Sequence, residues 1–189
     1  KAKNRGMMIY TVPALLEESC RKFSECTALS FVGEDPLTYG QLEERVSMIA
    51  TLLVSSGINK GDKVAILSSN MPNWGSAFLA ILRLGAVVVP ILPDFHTQEI
   101  LSILEHSETK MVFVSANLYF KIEKEKLGNV SRVMLTDTLA LIPAGTSSAD
   151  LMQLPAWAPG KEIVLPGVTI EEEDLATIIY TSGTTGSSK

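Results

Sequence analysis

The sequence predicts an α/β protein, a layered αβα arrangement around a mainly parallel sheet. Short β-branched runs alternate with amphipathic stretches of helical length along the chain. That alternation calls for right-handed βαβ crossovers, which lay strands side by side in parallel. The strand runs are also continuously apolar, as in Val64-Ala65-Ile66-Leu67 and Val87-Val88-Val89. Strands covered by helices on both faces read that way.

The elements follow in order. Residues 27–32 read as a strand. At Leu37-Thr38-Tyr39-Gly40-Gln41-Leu42 a helix starts. Thr38 can cap its free amides, Gln41 can complete the capping box, and Leu37 can staple onto Leu42. Tyr39, Leu42, Val46, Ile49 and Leu53 share one face at helical spacing, and Gly57 closes the helix. Residues 63–68 form a buried strand. Asn70 and Pro72 open a second helix, with Trp74, Phe78, Ile81 and Leu82 inward and Gly85 at its end. Strands at 86–91 and 110–115 flank a helix at 97–107, followed by a weaker, charged helix at 117–126 and a strand at 132–136. The Pro-, Gly-, Ser- and Thr-rich stretch 138–170 is a loop-rich connection, with one helical turn near 149–154. The last strand is 175–180, in the interior or near the edge of the sheet. In such sheets ligands bind beyond the carboxyl ends of strands, so this strand aims Thr181 at a site.

Composition narrows the function. The chain has 189 residues, enough to bury a core without staples. Its hydrophobic share of 46%, with 13 glycines added, exceeds the roughly 45–50% usual for globular chains and fits a core-rich α/β protein. The net charge is −5 and basic residues are scattered, which argues against a nucleic-acid partner. Cys20 and Cys26 have no partnering histidines and read as a reduced cytosolic pair. No apolar run reaches the roughly 18 residues of a membrane span. The first residue is not Met and the last lies in a glycine-rich stretch, so the chain is expected to be a piece of a longer protein.

The chemistry-bearing segment is Tyr180-Thr181-Ser182-Gly183-Thr184-Thr185-Gly186-Ser187-Ser188-Lys189. Glycines let backbone N–H groups approach an anion, hydroxyls add rotatable donors, and lysine supplies a compact positive charge. Two familiar phosphate loops fail here. The Walker pattern needs glycine before the lysine, where Ser188 stands, and the dinucleotide pattern needs a third glycine. A flexible Ser/Gly/Thr linker is the alternative reading, although a linker has no need of the apolar strand before it.

Residues 180–189 resemble the signature phosphate loop of the adenylate-forming, AMP-binding superfamily. Supporting stretches match in order and spacing: Leu37-Thr38-Tyr39 with Leu42, Gly57 to Ile66 around Gly61-Asp62, Asn70-Met71-Pro72-Asn73-Trp74, Leu84-Gly85-Ala86 to Pro90, and His106-Ser107-Glu108-Thr109-Lys110. The resemblance is strongest to a long-chain fatty acid–CoA ligase. It implies that the chain is the N-terminal portion of the large AMP-binding domain and that residues 181–189 are the phosphate loop. Thr181, Ser182, Gly183, Thr184, Thr185 and Gly186 would wrap the β- and γ-phosphates of ATP, and Lys189 would neutralise them. The implied co-substrates are ATP with Mg²⁺, a fatty acid and coenzyme A. The catalytic and Mg²⁺-positioning residues are expected later than Lys189, so no catalytic or metal residue is assigned here and the piece alone is expected to be inactive. The resemblance implies a cytoplasmic protein, with peripheral membrane association of the parent left open. An aryl-acid or peptide-synthetase adenylation domain and a non-catalytic nucleotide-binding module are the other readings.

The remaining candidates have plainer roles. Trp74 is expected to anchor a helix start on the core and Asp62 to fix its turn. His96 is expected at a helix cap or on the surface. His106 ends a helix, where a cation suits the dipole.

Overall fold

The computed structural model describes residues 11–158 and 165–181. It confirms an α/β fold built on a four-stranded parallel sheet. In chain order the elements are helix α1 (Val12–Lys22), strands β1 (Thr27–Leu29) and β2 (Leu37–Thr38), helix α2 (Tyr39–Ser55), strand β3 (Lys63–Leu67), helix α3 (Pro72–Arg83), strand β4 (Val87–Ile91), helix α4 (Thr97–His106), and strands β5 (Met111–Val114) and β6 (Arg132–Leu135). A 3₁₀ turn spans Ala116–Lys121 and another spans Leu151–Gln153.

The main sheet runs β4-β3-β5-β6. The chain steps from β3 to β4 on one side, then crosses back to β5 on the other. Because both crossovers are right-handed, this reversal puts α3 and α4 on opposite faces. The two core clusters match. Val64, Ile66, Val88, Met111 and Phe113 join residues of α1, α2 and α3. Their alternates Ala65, Leu67, Val89, Val112 and Val114 join residues of α4 and the turn after β5. Period-two alternation thus feeds two layers, and the apolar runs needed no polar face.

Local chemistry explains the ends of the elements. Thr38 Oγ1 accepts from the Gln41 amide at 3.2 Å, and Gln41 Oε1 accepts from the Thr38 amide at 2.9 Å, giving the expected capping box on α2. Its inward residues Leu42, Val46, Ile49 and Leu53 are all buried. Gly57 follows the helix at φ +83°, the left-handed geometry that stops a helix cleanly. On α3 the buried face is Ser76, Ala77, Ala80, Ile81 and Leu82. Trp74 and Phe78 lie half-buried and stacked, with ring centroids 5.3 Å apart. Small residues at the centre of α3 let it pack closely on α2, and the aromatic pair flanks the contact.

Four differences from the sequence reading have physical causes. Helix α1 has the signals of a helix, a Thr11 cap on the Ala14 amide and Pro13 in the first turn, yet the strand–helix alternation passed over it. Only Leu16 and Cys20 of its residues are buried, so its apolar stripe is too thin to stand out. The strand at 27–32 shrinks to Thr27–Leu29, paired antiparallel with β2. The expected helix at 117–126 is instead the 3₁₀ turn Ala116–Lys121 followed by irregular turns. Its last half, Glu123 to Lys126, is charged and offers no apolar stripe for tertiary packing to hold. The strand at 175–180 makes a single parallel bridge, Val88 to Thr177.

Candidate functional site

The carboxyl ends of β3, β5 and β6 carry hydroxyls and amides: Ser68-Ser69-Asn70, Ser115-Ala116-Asn117 and Thr136-Asp137. The gap between β3 and β5 is where the chain direction switches, the usual crevice of an open α/β sheet. Here side chains tie the loops together. Ser115 Oγ accepts from the Ser69 amide at 3.2 Å and donates to Asn117 Oδ1 at 2.6 Å, and Asn117 Nδ2 donates to Ser69 Oγ at 3.0 Å. Asn73 Nδ2 donates to the Thr136 and Asp137 carbonyls at 2.8 and 3.1 Å, while Asn73 Oδ1 accepts from Arg45 at 2.8 Å. Asp137 Oδ2 accepts from the Ala116 amide at 2.9 Å. The network ties the three loops together at this end of the sheet, although Thr136 Oγ1 is buried without a partner. In the sequence Asn73 stands out only within Asn70-Met71-Pro72-Asn73-Trp74; its polar type on the first turn of an otherwise apolar helix is the available signal.

The approach to Thr181 lies along the β4 edge. Val88 donates its amide to the Ala176 carbonyl and accepts from the Ile178 amide, both at 2.9 Å. Thr177 Oγ1 donates to the Val88 carbonyl at 2.9 Å. The bridge is parallel, so Thr181 emerges at the same end as the residues that follow β4. In a parallel ladder alternate residues bond to the same side. The next rung after Val88 would therefore use the amide at position 90, and Pro90 has none. That is why the strand legible in the sequence is a single rung in the fold.

Other contacts set the course of this segment. Lys60 Nζ donates to the Thr169 carbonyl at 2.9 Å and pairs with Asp174. The Lys60 ammonium, with the Glu171 amide after it, holds the Asp174 carboxyl below its ordinary range. Tyr180 is 6% exposed, and its hydroxyl lies 2.7 Å from His106 Nδ1. Burial pushes the Tyr180 phenol up, so it keeps its proton. The sequence shows His106 only as a helix end, because its partner is 74 residues away.

Of the expected phosphate-binding residues, Thr181 is described and exposed. Ser182, Gly183, Thr184, Thr185, Gly186 and Lys189 lie outside the described residues. The other candidates settle into local roles. Asp62 Oδ2 accepts from the Asn59 amide at 2.9 Å, fixing the turn before β3. Glu99 Oε2 accepts from the His96 amide at 2.8 Å, so His96 sits at the start of α4. Cys20 and Cys26 are free thiols, one buried and one exposed. Burial, and then the carboxylate of Glu43, push the Cys20 thiol up. Among the described residues no cluster of His, Cys, Asp and Glu could hold a metal, and no helix is long and apolar enough to cross a membrane.

Comparison with known proteins gives the wider setting. The model of the AMP-binding enzyme family matches residues 16–189. A methyl-dioxo-octahydro-indenyl propanoyl:CoA ligase of Rhodococcus jostii is 32% identical over 188 residues, covering 95% of this chain and 36% of that protein. An L-proline–L-prolyl-carrier protein ligase of Streptomyces coelicolor is 32% identical over 166 residues, covering 85% of this chain and 30% of that protein. Among solved structures, a Mycobacterium tuberculosis fatty acyl CoA synthetase superimposes with a TM-score of 0.71 at 25% identity, covering 90% of this chain and 32% of that one. The chain thus spans about a third of the length of these relatives.

Proposed function

The chain belongs to the AMP-binding enzyme family, and from that premise we propose that its parent protein activates a long-chain fatty acid with ATP and passes it to coenzyme A. A carboxylate oxygen attacks the α-phosphorus of ATP, and the bond to pyrophosphate breaks. The thiol of coenzyme A then attacks the acyl carbonyl and AMP leaves. The observation that carries the reading is residues 180–189, led in by a segment laid parallel against β4 with Thr181 at the carboxyl end of the sheet.

In this reading Thr181 through Gly186 donate backbone and hydroxyl hydrogens to the β- and γ-phosphates, and Lys189 offsets their charge. Donors fixed in place stabilise charge as pyrophosphate departs without reorganising at that moment. Mg²⁺ accompanies ATP as its counterion, and no described residue is assigned to it.

Among relatives, the fatty acyl CoA synthetase supports a fatty acid. The carrier-protein ligase, which acts on L-proline, favours the second reading, activation of an amino acid for a carrier thiol. Pyrophosphate release by the full-length protein, measured across fatty acids of graded length, aryl acids and amino acids, separates them. Turnover with fatty acids and coenzyme A is expected. Turnover only with amino or aryl acids refutes the fatty-acid substrate and leaves acid activation standing.

A further inference from the structure

Between the last rung of the sheet and the start of the phosphate-loop segment, the chain has little backbone attachment. The ladder stops at Val88 and Thr177, since Pro90 cannot supply the next donor. Ile179 is 68% exposed. Tyr180, at 6% exposure, is the residue immediately before Thr181 that enters the core, in the cluster containing Ile100, Ile103 and Leu104 of α4. Its ring meets the His106 imidazole edge-on, with centroids 5.7 Å apart and planes at 90°. Its hydroxyl reaches His106 Nδ1 at 2.7 Å.

We propose that His106 is a positioning residue, which acts through the Tyr180 hydroxyl to fix the point where the chain leaves the sheet for the phosphate-binding loop. The inference rests on the phosphate-loop reading above and adds to it a residue from a distant element. Burial keeps the phenol protonated, and the hydroxyl and the imidazole Nδ1 share one hydrogen bond. The helix that carries the imidazole is held at both ends. Next along the chain, the Ser107 and Thr109 hydroxyls bond at 2.7 Å, and Ser107 Oγ donates to the Ile103 carbonyl at 2.7 Å. At the other end of α4, Lys121 Nζ clamps the preceding loop by donating to the Phe95 carbonyl at 2.8 Å and to the Pro93 carbonyl. A core role alone would be met by Phe at position 180, and the hydroxyl would then have no use. The hydroxyl–imidazole bond supplies the attachment that the missing rung would otherwise give.

Four variants of the full-length protein test this: Tyr180→Phe, His106→Phe, their double variant, and His106→Asn, whose side chain can present a polar atom where Nδ1 stands. Hydrogen exchange at residues 177–181 should rise in both single variants, at least as much in Tyr180→Phe, whose hydroxyl also lies against Ser107, and the double variant should rise no further than Tyr180→Phe, because the two share one bond. One neutral hydrogen bond corresponds to a rise of about threefold to tenfold in the KM for MgATP. The KM for the acid should not move, and His106→Asn should restore both readouts. Wild-type exchange and KM in His106→Phe would overturn the proposal. So would additive effects in the double variant, or an Asn variant as impaired as the Phe variant, which would point to ring packing instead. A wild type with no ATP-dependent pyrophosphate release refutes the function proposed above, and the exchange pattern at 177–181 then decides the anchor by itself.

Discussion

Two apolar runs of similar composition, Met111-Val112-Phe113-Val114 and Ala176-Thr177-Ile178-Ile179, end in different states. The first, β5, lies between β3 and β6 with four paired residues on each side, and all four of its own residues are fully buried. The second has one bridge to β4 and leaves Ile179 exposed. What separates them is the neighbour. Strand β3 offers β5 a donor at every required position, whereas β4 presents Pro90 where the edge segment needs its second rung. A run's own residues state that it can be a strand; the facing backbone decides how much ladder it gets.

The largest expected effect comes from the buried centre. Phe113→Ala removes a fully buried ring between the layers and should cost about 3–5 kcal/mol, read by denaturant unfolding. Ile179→Ala, on the exposed edge, should stay within about 0.5 kcal/mol. Similar losses at both positions would break the distinction between the two runs.

Gly85→Ala comes next. Gly85 has φ +65°, and an added Cβ would lie 2.9 Å from Lys60 Cγ. The backbone strain alone should cost about 1–2 kcal/mol. Lys60 can give way only by disturbing its bonds to Thr169 and Asp174, so hydrogen exchange should increase most at residues 169–178. An increase centred instead on β5 would contradict the separation of core from edge.

Pro90→Ala sharpens the comparison. It supplies the missing amide, worth about 0.5–1.5 kcal/mol if paired. It also loosens the unfolded chain by about 0.4–1 kcal/mol, so net stability should barely change. The new amide at position 90 should nevertheless be protected from exchange by the Ile178 carbonyl. Free exchange there would mean that something other than the proline limits the ladder.

The smallest effect is a pH dependence. Lys60 and the Glu171 amide lower the Asp174 carboxyl. A lowered folded-state value means the contribution is present above the ordinary carboxylate range and is lost as pH falls through the lower folded value. Between those two values, Asp174→Asn should flatten the stability of the edge segment against pH. An unchanged acid limb would show that the pair contributes nothing.

Much of this was legible in the sequence. The parallel α/β fold followed from the strand–helix alternation, and the α2 cap from Thr38 and Gln41, because those signals are local. The half-hidden parts depend on distant partners. The hydroxyl of Tyr180 finds His106 only after the sheet brings α4 to the edge segment. Asn73 became the hub of the network only when β6 delivered the Thr136 and Asp137 carbonyls. The 3₁₀ turn at Ala116–Lys121 read as a helix because charge content reveals little about packing.

Residues 181–189 are proposed to grip the phosphates of ATP during acid activation. Acid-dependent exchange of labelled pyrophosphate into ATP by the full-length protein tests it most directly. With a fatty acid, exchange should occur and fall roughly tenfold or more in Lys189→Ala, the scale of one charge-assisted contact, and fall also in Gly186→Val. Exchange untouched by either substitution, or absent with every carboxylic acid offered, would contradict it.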